Sequence, residues 1–274
     1  MKARIPSRAW VLVAFSLTLG ACASGPDLRE RTLVFPKDDY RYLGSVYVRY
    51  QRHGADQQQE WRKIANARGE VRVPDGMEAA LHLASVSPSD AFIAEVEEQG
   101  INLLRLPQDA ADSALALVGG VANLTMLSLE HCVRITDDGI RYVASLTNLR
   151  ELDLRGTAVD GEGLRHVASL KNLETLNLSE TRVGDDDLAY LAPLGALRQL
   201  FLWNTEITDR GISLVRGFVG LEVLDLANTP ITDAGLTVLD GLTSLRRLDL
   251  SGTRVTPAAV EQLREQMPDC EIVY

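Results

Sequence analysis

A six-residue block, apolar-x-x-Leu-x-Leu, returns seven times between Ile101 and Leu250. Its copies start at Ile101, Leu124, Leu149, Leu173, Leu197, Leu221 and Leu245, in steps of 23, 25, 24, 24, 24 and 24 residues. A fixed period of this length specifies a solenoid: each unit is too small to bury its own apolar face, so the units must stack. The x-Leu-x-Leu part alternates with period two and predicts a short strand with leucine inward. The ninth position holds Thr157, Thr181, Thr205, Thr229 and Thr253, with Cys132 in the copy that starts at Leu124. These side chains are expected to satisfy backbone groups where the chain leaves the strand.

Helix-start signals follow. Thr136-Asp137, Thr208-Asp209 and Thr232-Asp233 each offer a threonine N-cap with an acid in the first turn, and Asp160 and Thr256-Pro257 are variants. The helices bury residues three apart, such as Leu164, Val167 and Leu170 or Leu236, Leu239 and Leu242. The predicted fold class is α/β, a horseshoe solenoid with a parallel sheet on its concave face and short helices on its convex face. Aromatic residues are 5% of the chain, as suits a core of stacked aliphatics.

The segments Ile135–Ile140, Ile207–Ile212 and Ile231–Leu236 read Ile-Thr-Asp-x-Gly-Ile/Leu. They resemble the cysteine-containing subfamily of leucine-rich repeats, found in F-box proteins and in many bacterial proteins. The resemblance covers residues 101–274. It implies the solenoid fold and, by class, a binding scaffold. The ubiquitin-ligase role of F-box proteins does not carry over: the chain shows no F-box helical module, and its N-terminus reads as an export signal.

That N-terminus has Lys2, Arg4 and Arg8 followed by an apolar run from Ala9 to Leu19. The run is too short to span a bilayer and suits a signal peptide. It ends in Leu19-Gly20-Ala21-Cys22, which resembles the bacterial lipobox. The resemblance implies cleavage before Cys22 and lipidation of Cys22, with two or three acyl chains giving stable anchoring. Ala23 rather than Asp follows it, which in a cell with two membranes resembles lipoproteins sorted to the outer membrane. The alternative is an ordinary signal peptide with a coincidental cysteine. Removing residues 1–21 takes the formal charge from −10 to −13, because that segment carries three basic residues and no acid. A chain this acidic is a poor candidate for nucleic acid or anionic lipid.

The expected organisation is a signal peptide over 1–21, a lipidated tether over 22–40, an N-terminal cap with a degenerate repeat over 41–100, and repeats with a C-terminal cap over 101–274. Residues 43–50 alternate as a strand, and Gln57–Ala67 read as a helix with Trp61 and Ile64 inward. Glu70–Val73 and Glu78–Ala84 flank a Pro74-Asp75-Gly76 turn signal and are expected to pair as a hairpin. Glu78-x-x-Leu81-x-Leu83 fits a degenerate copy, with Phe92, Ile93 and Val96 as its helix face. At the other end, Pro257–Gln266 predicts a helix before a last strand. There Cys270 and Val273 take the first and fourth register positions. Cys132 and Cys270 then lie six repeats apart, about 29 Å at the spacing of neighbouring strands. A disulfide is excluded at that distance, and both read as small buried residues.

Nothing in the chain carries an enzyme's signature, and no cofactor is implied. Gly119-Gly120 lacks the Lys-Ser/Thr of a phosphate loop. His53, His82, His131 and His166 form no pair with metal-ligand spacing. The run Asp185-Asp186-Asp187 lacks the calcium-loop pattern and reads as acids at a helix N-terminus. The informative surface is the concave sheet, at the third, fifth and seventh positions of each copy. Phe201 and Trp203 stand together there, with Val223 beside them and Asp225, Asp153 and Arg155 around. An aromatic pair with a polar rim has the composition of a binding hot spot. The expected function is a non-enzymatic scaffold, monomeric and lipid-anchored at the cell envelope, that binds a protein or peptide ligand there. A structural or adhesive surface lipoprotein and a glycan-binding module are the alternatives.

Overall fold

A computed structural model of the protein describes residues 30–35, 44–50, 62–66, 69–74, 77–84 and 101–274. The repeats form the expected leucine-rich-repeat solenoid. Seven strands of three residues each, Leu103–Arg105 (β6), Met126–Ser128 (β7), Glu151–Asp153 (β8), Thr175–Asn177 (β9), Gln199–Phe201 (β10), Val223–Asp225 (β11) and Arg247–Asp249 (β12), stand side by side in a parallel ladder. The fourth-position leucines pair in register, Leu152 with Leu176 and Leu200 with Leu224 among them. Every leucine of the block is buried, and the leucines form one continuous core with the helix residues Leu164, Val167, Leu170, Leu236, Leu239 and Leu242.

The ninth-position threonines do what the sequence predicts. All but Thr253 are almost fully buried. The hydroxyls of Thr157, Thr205 and Thr229 donate to the carbonyl three residues back at 2.7, 2.7 and 2.5 Å. Thr208, Thr232, Thr256 and Asp160 cap their helices by accepting a backbone N–H. Thr136 sits at the N-cap position without making that bond. Its hydroxyl instead donates to Asp112 of the preceding unit at 2.7 Å.

That contact belongs to a series. The Thr232 N–H donates to Asp209 Oδ1 at 2.8 Å, and its hydroxyl donates to Oδ2 at 2.5 Å. Asp112 with Thr136, Asp185 with Thr208 and Asp233 with Thr256 repeat the pair. Each aspartate thus satisfies the exposed end of the next helix and ties unit to unit. The glycine in Thr-Asp-x-Gly has the same origin. A Cβ on Gly139, Gly211 or Gly235 would fall on the carboxylate of Asp112, Asp185 or Asp209.

The eighth position bends the chain out of the strand through a left-handed backbone. His131, Gly156, Glu180, Asn204, Asn228 and Gly252 all have φ between 53° and 72°. Glycine and asparagine tolerate this conformation; histidine and glutamate adopt it at a cost.

The last strand, Glu271–Val273 (β13), corrects the expected register. Ile272 pairs with Leu248, so Ile272 and not Val273 takes the fourth position. Cys270 and Ile272 are both buried while Val273 is partly exposed, and the apolar pattern alone allowed either frame. Cys132 and Cys270 are separate buried thiols. Burial pushes Cys132 up to about 12 and Cys270 up to about 11, so both are poor nucleophiles.

The N-terminal part departs further from expectation. Met77–Leu83 (β5) does extend the parallel ladder, with Leu81 beside Leu104. Its other neighbour is Gly44–Tyr50 (β2), antiparallel, followed by Arg62–Asn66 (β3) at the sheet's edge. Residues 62–66 are therefore a strand, not part of a helix, because the open edge of β2 offers a ladder of backbone bonds to a segment with no helix cap. Trp61 lies outside the described residues. Gly69–Pro74 (β4) does not form a hairpin with β5. It pairs antiparallel with Glu30–Phe35 (β1), a strand inside the segment expected to be tether, and Leu33 is buried. Residues 1–29, including Cys22, and the helix face at Phe92, Ile93 and Val96 also lie outside the described residues. No helix among the described residues is long and apolar enough to cross a membrane.

Candidate protein-binding surface

The pleat of the parallel strands turns the third and fifth positions away from the core. The seventh position follows on the loop that leaves each strand. Phe201 and Trp203 are both partly exposed at the fifth and seventh positions of one unit. Phe201 pairs in register with Asn177 on one side and Asp225 on the other, and Val223 lies in the adjoining strand.

Arg155 reaches this pair from two units away. Its guanidinium carbon lies 5.0 Å from the centre of the Trp203 ring. Ser179, the seventh-position residue between them, is small and buried, which leaves the path open. Arg155 Nε donates to Glu180 Oε1 at 2.7 Å, so the guanidinium is held in a fixed plane. A cation over an indole face contributes roughly 0.5–1 kcal/mol when exposed and more when dry.

Asp153 and Asp225 have a duty that the sequence reading did not assign. Asp153 Oδ1 accepts from the Arg155 N–H at 3.0 Å, and Asp225 Oδ1 from the Ala227 N–H at 2.9 Å. Asn177 and Asp249 do the same for Ser179 and Ser251, both at 3.0 Å. A fifth-position Asp or Asn thus closes the end of the strand with an Asx turn. Phe201 stands at this position between two units that obey the pattern. Among the described residues no acceptor meets the Trp203 N–H. The unit gives up a local hydrogen bond in exchange for an aromatic ring on the concave face.

Next to this platform lies a charged group that spacing alone did not reveal. Glu130 is buried and pairs with Arg105 at 2.7 Å, within 4.0 Å of Arg155. His82, beside Arg105 in the ladder, is lowered to about 4 by burial and by that arginine, and stays neutral. Asp153 is pushed up to about 6. Burial is the main cause and the Glu130 charge adds to it, against the opposing Arg155 N–H, Arg105 and Arg155.

An unfolded aspartate titrates near about 3.9. Between about pH 4 and 6 the native chain holds a proton that the unfolded chain has lost, so the Asp153 contribution to stability falls as pH rises through that window. Asp153→Asn keeps an acceptor for the Arg155 N–H, as Asn177 shows, and removes the buried charge. The variant is expected to match wild type near pH 4 and to exceed it by about 1–3 kcal/mol at pH 7. Denaturant unfolding at the two pH values checks this, and an equal gap at both would contradict it.

The three short aspartates in a row have separate duties. Asp185 accepts from Thr208, Asp187 accepts from the Gly184 N–H at 2.8 Å, and Asp186 pairs with Arg210.

Comparison with known proteins agrees with the architecture. A family model for the leucine rich repeat matches residues 195–255, and a second matches residues 145–168 and 169–192. Among solved structures, an internalin (inlF) from Listeria monocytogenes superposes with a TM-score of 0.50 at 18% identity. The alignment covers 70% of this chain and 57% of that one, so the chain spans little more than half of that internalin. Internalin C2 from the same organism gives a TM-score of 0.53 at 19% identity, covering 71% of this chain and 79% of that one. No curated protein matches the sequence. The chain has the leucine-rich-repeat fold, and at these identities the likeness to the internalins is one of fold.

Proposed function

We propose that the protein is a non-enzymatic scaffold that binds a protein or peptide ligand on its concave sheet around Phe201 and Trp203, and that lipid on Cys22 holds it at the cell envelope. The observation that carries the binding site is the broken Asx pattern. Phe201 occupies a position where the units on both sides keep a hydrogen-bonding side chain, and Trp203 follows it two positions on. Departures from a repeat's own rule mark positions under another demand. Val223, Asp225, Asp153 and Arg155 form the rim. The fold supports the reading, since stacked units give a rigid curved face whose outward residues are free of the core. The likeness to internalins supports the envelope only by analogy of fold.

The test of the site is a pull-down from the native host with wild type and Phe201→Ala/Trp203→Ala. The double variant is expected to lose the partners that wild type retains. Equal recovery of the same partners would remove the site from this face. The anchor is tested by metabolic labelling with an alkyne fatty acid. Wild type is expected to take up label and Cys22→Ser to take up none, and equal labelling would contradict the lipobox reading.

A further inference from the structure

The concave face around the aromatic pair carries more acid than base. In the five units from Leu149 to Ser251, the outward and strand-end positions carry Glu151, Asp153, Glu180, Asp225 and Asp249 against Arg155 and Arg247. Arg155 pairs with Glu180 and offsets that acid, and Arg247 pairs with Glu271 at 2.7 Å, so the excess of acid rests on Glu151, Asp153, Asp225 and Asp249. The aromatic pair sits in the middle of this row. Phe201 adjoins Asp225 directly in the ladder, and Asp249 is one strand further on. The chain as a whole is acidic, with a formal charge of −10. A concave wall with a net negative charge concentrates its field and draws the opposite charge toward it. It also rejects acidic partners, because like charges brought together in an interface cost several kcal/mol.

The chain itself shows what the platform accepts. The Arg155 guanidinium already lies over the Trp203 ring. Aromatic faces attract cations, and planar guanidinium stacks on indole while its N–H groups reach carboxylates.

We infer that the partner seated on this face is a basic polypeptide segment, whose arginine or lysine side chains meet the concave carboxylates while its apolar groups pack on Phe201 and Trp203. The inference rests on the concave face being the binding surface and adds the chemistry of what binds there. Nucleic acid and anionic lipid are repelled by the same field.

The design of the test follows from the Asx turns. Asn177 performs the same strand-end bond as its aspartate neighbours, so asparagine can replace them without loss of the fold. A random dodecapeptide phage library is selected on the purified full chain, and the selected peptides are measured against wild type, Asp153→Asn/Asp225→Asn/Asp249→Asn, and Phe201→Ala/Trp203→Ala. The expected result is enrichment of lysine and arginine next to apolar residues. The triple variant should weaken those peptides about tenfold or more, most strongly at low salt, while its circular dichroism and unfolding midpoint stay at or above wild type. Selection of neutral or acidic peptides would overturn the inference. So would basic peptides that bind the triple variant as tightly as wild type. Basic peptides that lose affinity for the triple variant but not for the aromatic double variant would leave the charge reading standing and overturn the aromatic site.

Discussion

Replacing Asp209 by alanine is expected to lower stability by about 2–4 kcal/mol, the worth of two hydrogen bonds to a carboxylate plus an orphaned N–H. Asp209 takes both the N–H and the hydroxyl of Thr232 across the boundary between two units. Loss of that contact leaves the start of the next helix without its partner. Asp209→Asn retains an acceptor for the N–H and is expected to cost about 1 kcal/mol. Gly235 provides an internal control. A methyl at Gly235 collides with the Asp209 carboxylate, so Gly235→Ala should be costly in wild type and much less so once Asp209 is alanine. A double-mutant cycle measured by urea denaturation then gives a coupling of about 1 kcal/mol or more. Additive effects would show that the aspartate and glycine of the motif act separately. Because units touch their nearest neighbours, the damage should be local. Amide exchange should rise first beyond Thr232 and leave the units before Leu197 protected.

The second large effect concerns binding. Phe201→Asn restores the strand-end acceptor that Asn177, Asp225 and Asp249 supply in their own units. If Phe201 serves a partner, the substitution should leave stability unchanged or raise it by up to about 1 kcal/mol. Partner binding should fall about 10–100-fold, as at a hot spot. If Phe201 serves packing instead, the variant should lose about 2 kcal/mol or more, the usual cost of removing a buried aromatic contact. Thermal unfolding and a binding isotherm on the same preparation separate the two cases. A variant both less stable and equally able to bind would contradict the functional reading. On the proposed reading, stability and function pull in opposite directions at this position, as is common where a site is built on a regular scaffold.

The leucine register made most of this architecture legible in the sequence. Period, strand placement, the concave and convex sides and the helix starts all follow from residues that recur every 24 positions. The sequence was least informative where recurrence stops. Residues 62–66 and 69–74 are short, and β4 finds its partner β1 far back in the sequence, so no local pattern names that pairing. At the last strand the apolar pattern puts Cys270 and Val273 at the first and fourth positions, and backbone pairing with Leu248 gives the fourth to Ile272 instead. At the candidate site, the aromatic pair could be read from its column. The roles of Asp153 and Asp225 could also have been read, because Asp or Asn recurs at the fifth position. The contact of Arg155 with Trp203 could not. It crosses two units, and the small size of Ser179 lets it form.

A second candidate docking face lies on the other side of the molecule. Tyr190 and Leu214 occupy the same position of successive units on the convex face, 39% and 42% exposed, and Val219 nearby is 70% exposed. Photocrosslinking in the native host compares the two faces directly. A photoreactive residue at Gln199 reports on the concave sheet beside Phe201, and one at Leu214 reports on the convex stripe. A discrete crosslinked partner is expected from position 199, lost when Trp203 is also alanine, and none from position 214. A partner captured from position 214 and not from 199 would contradict the proposed concave site.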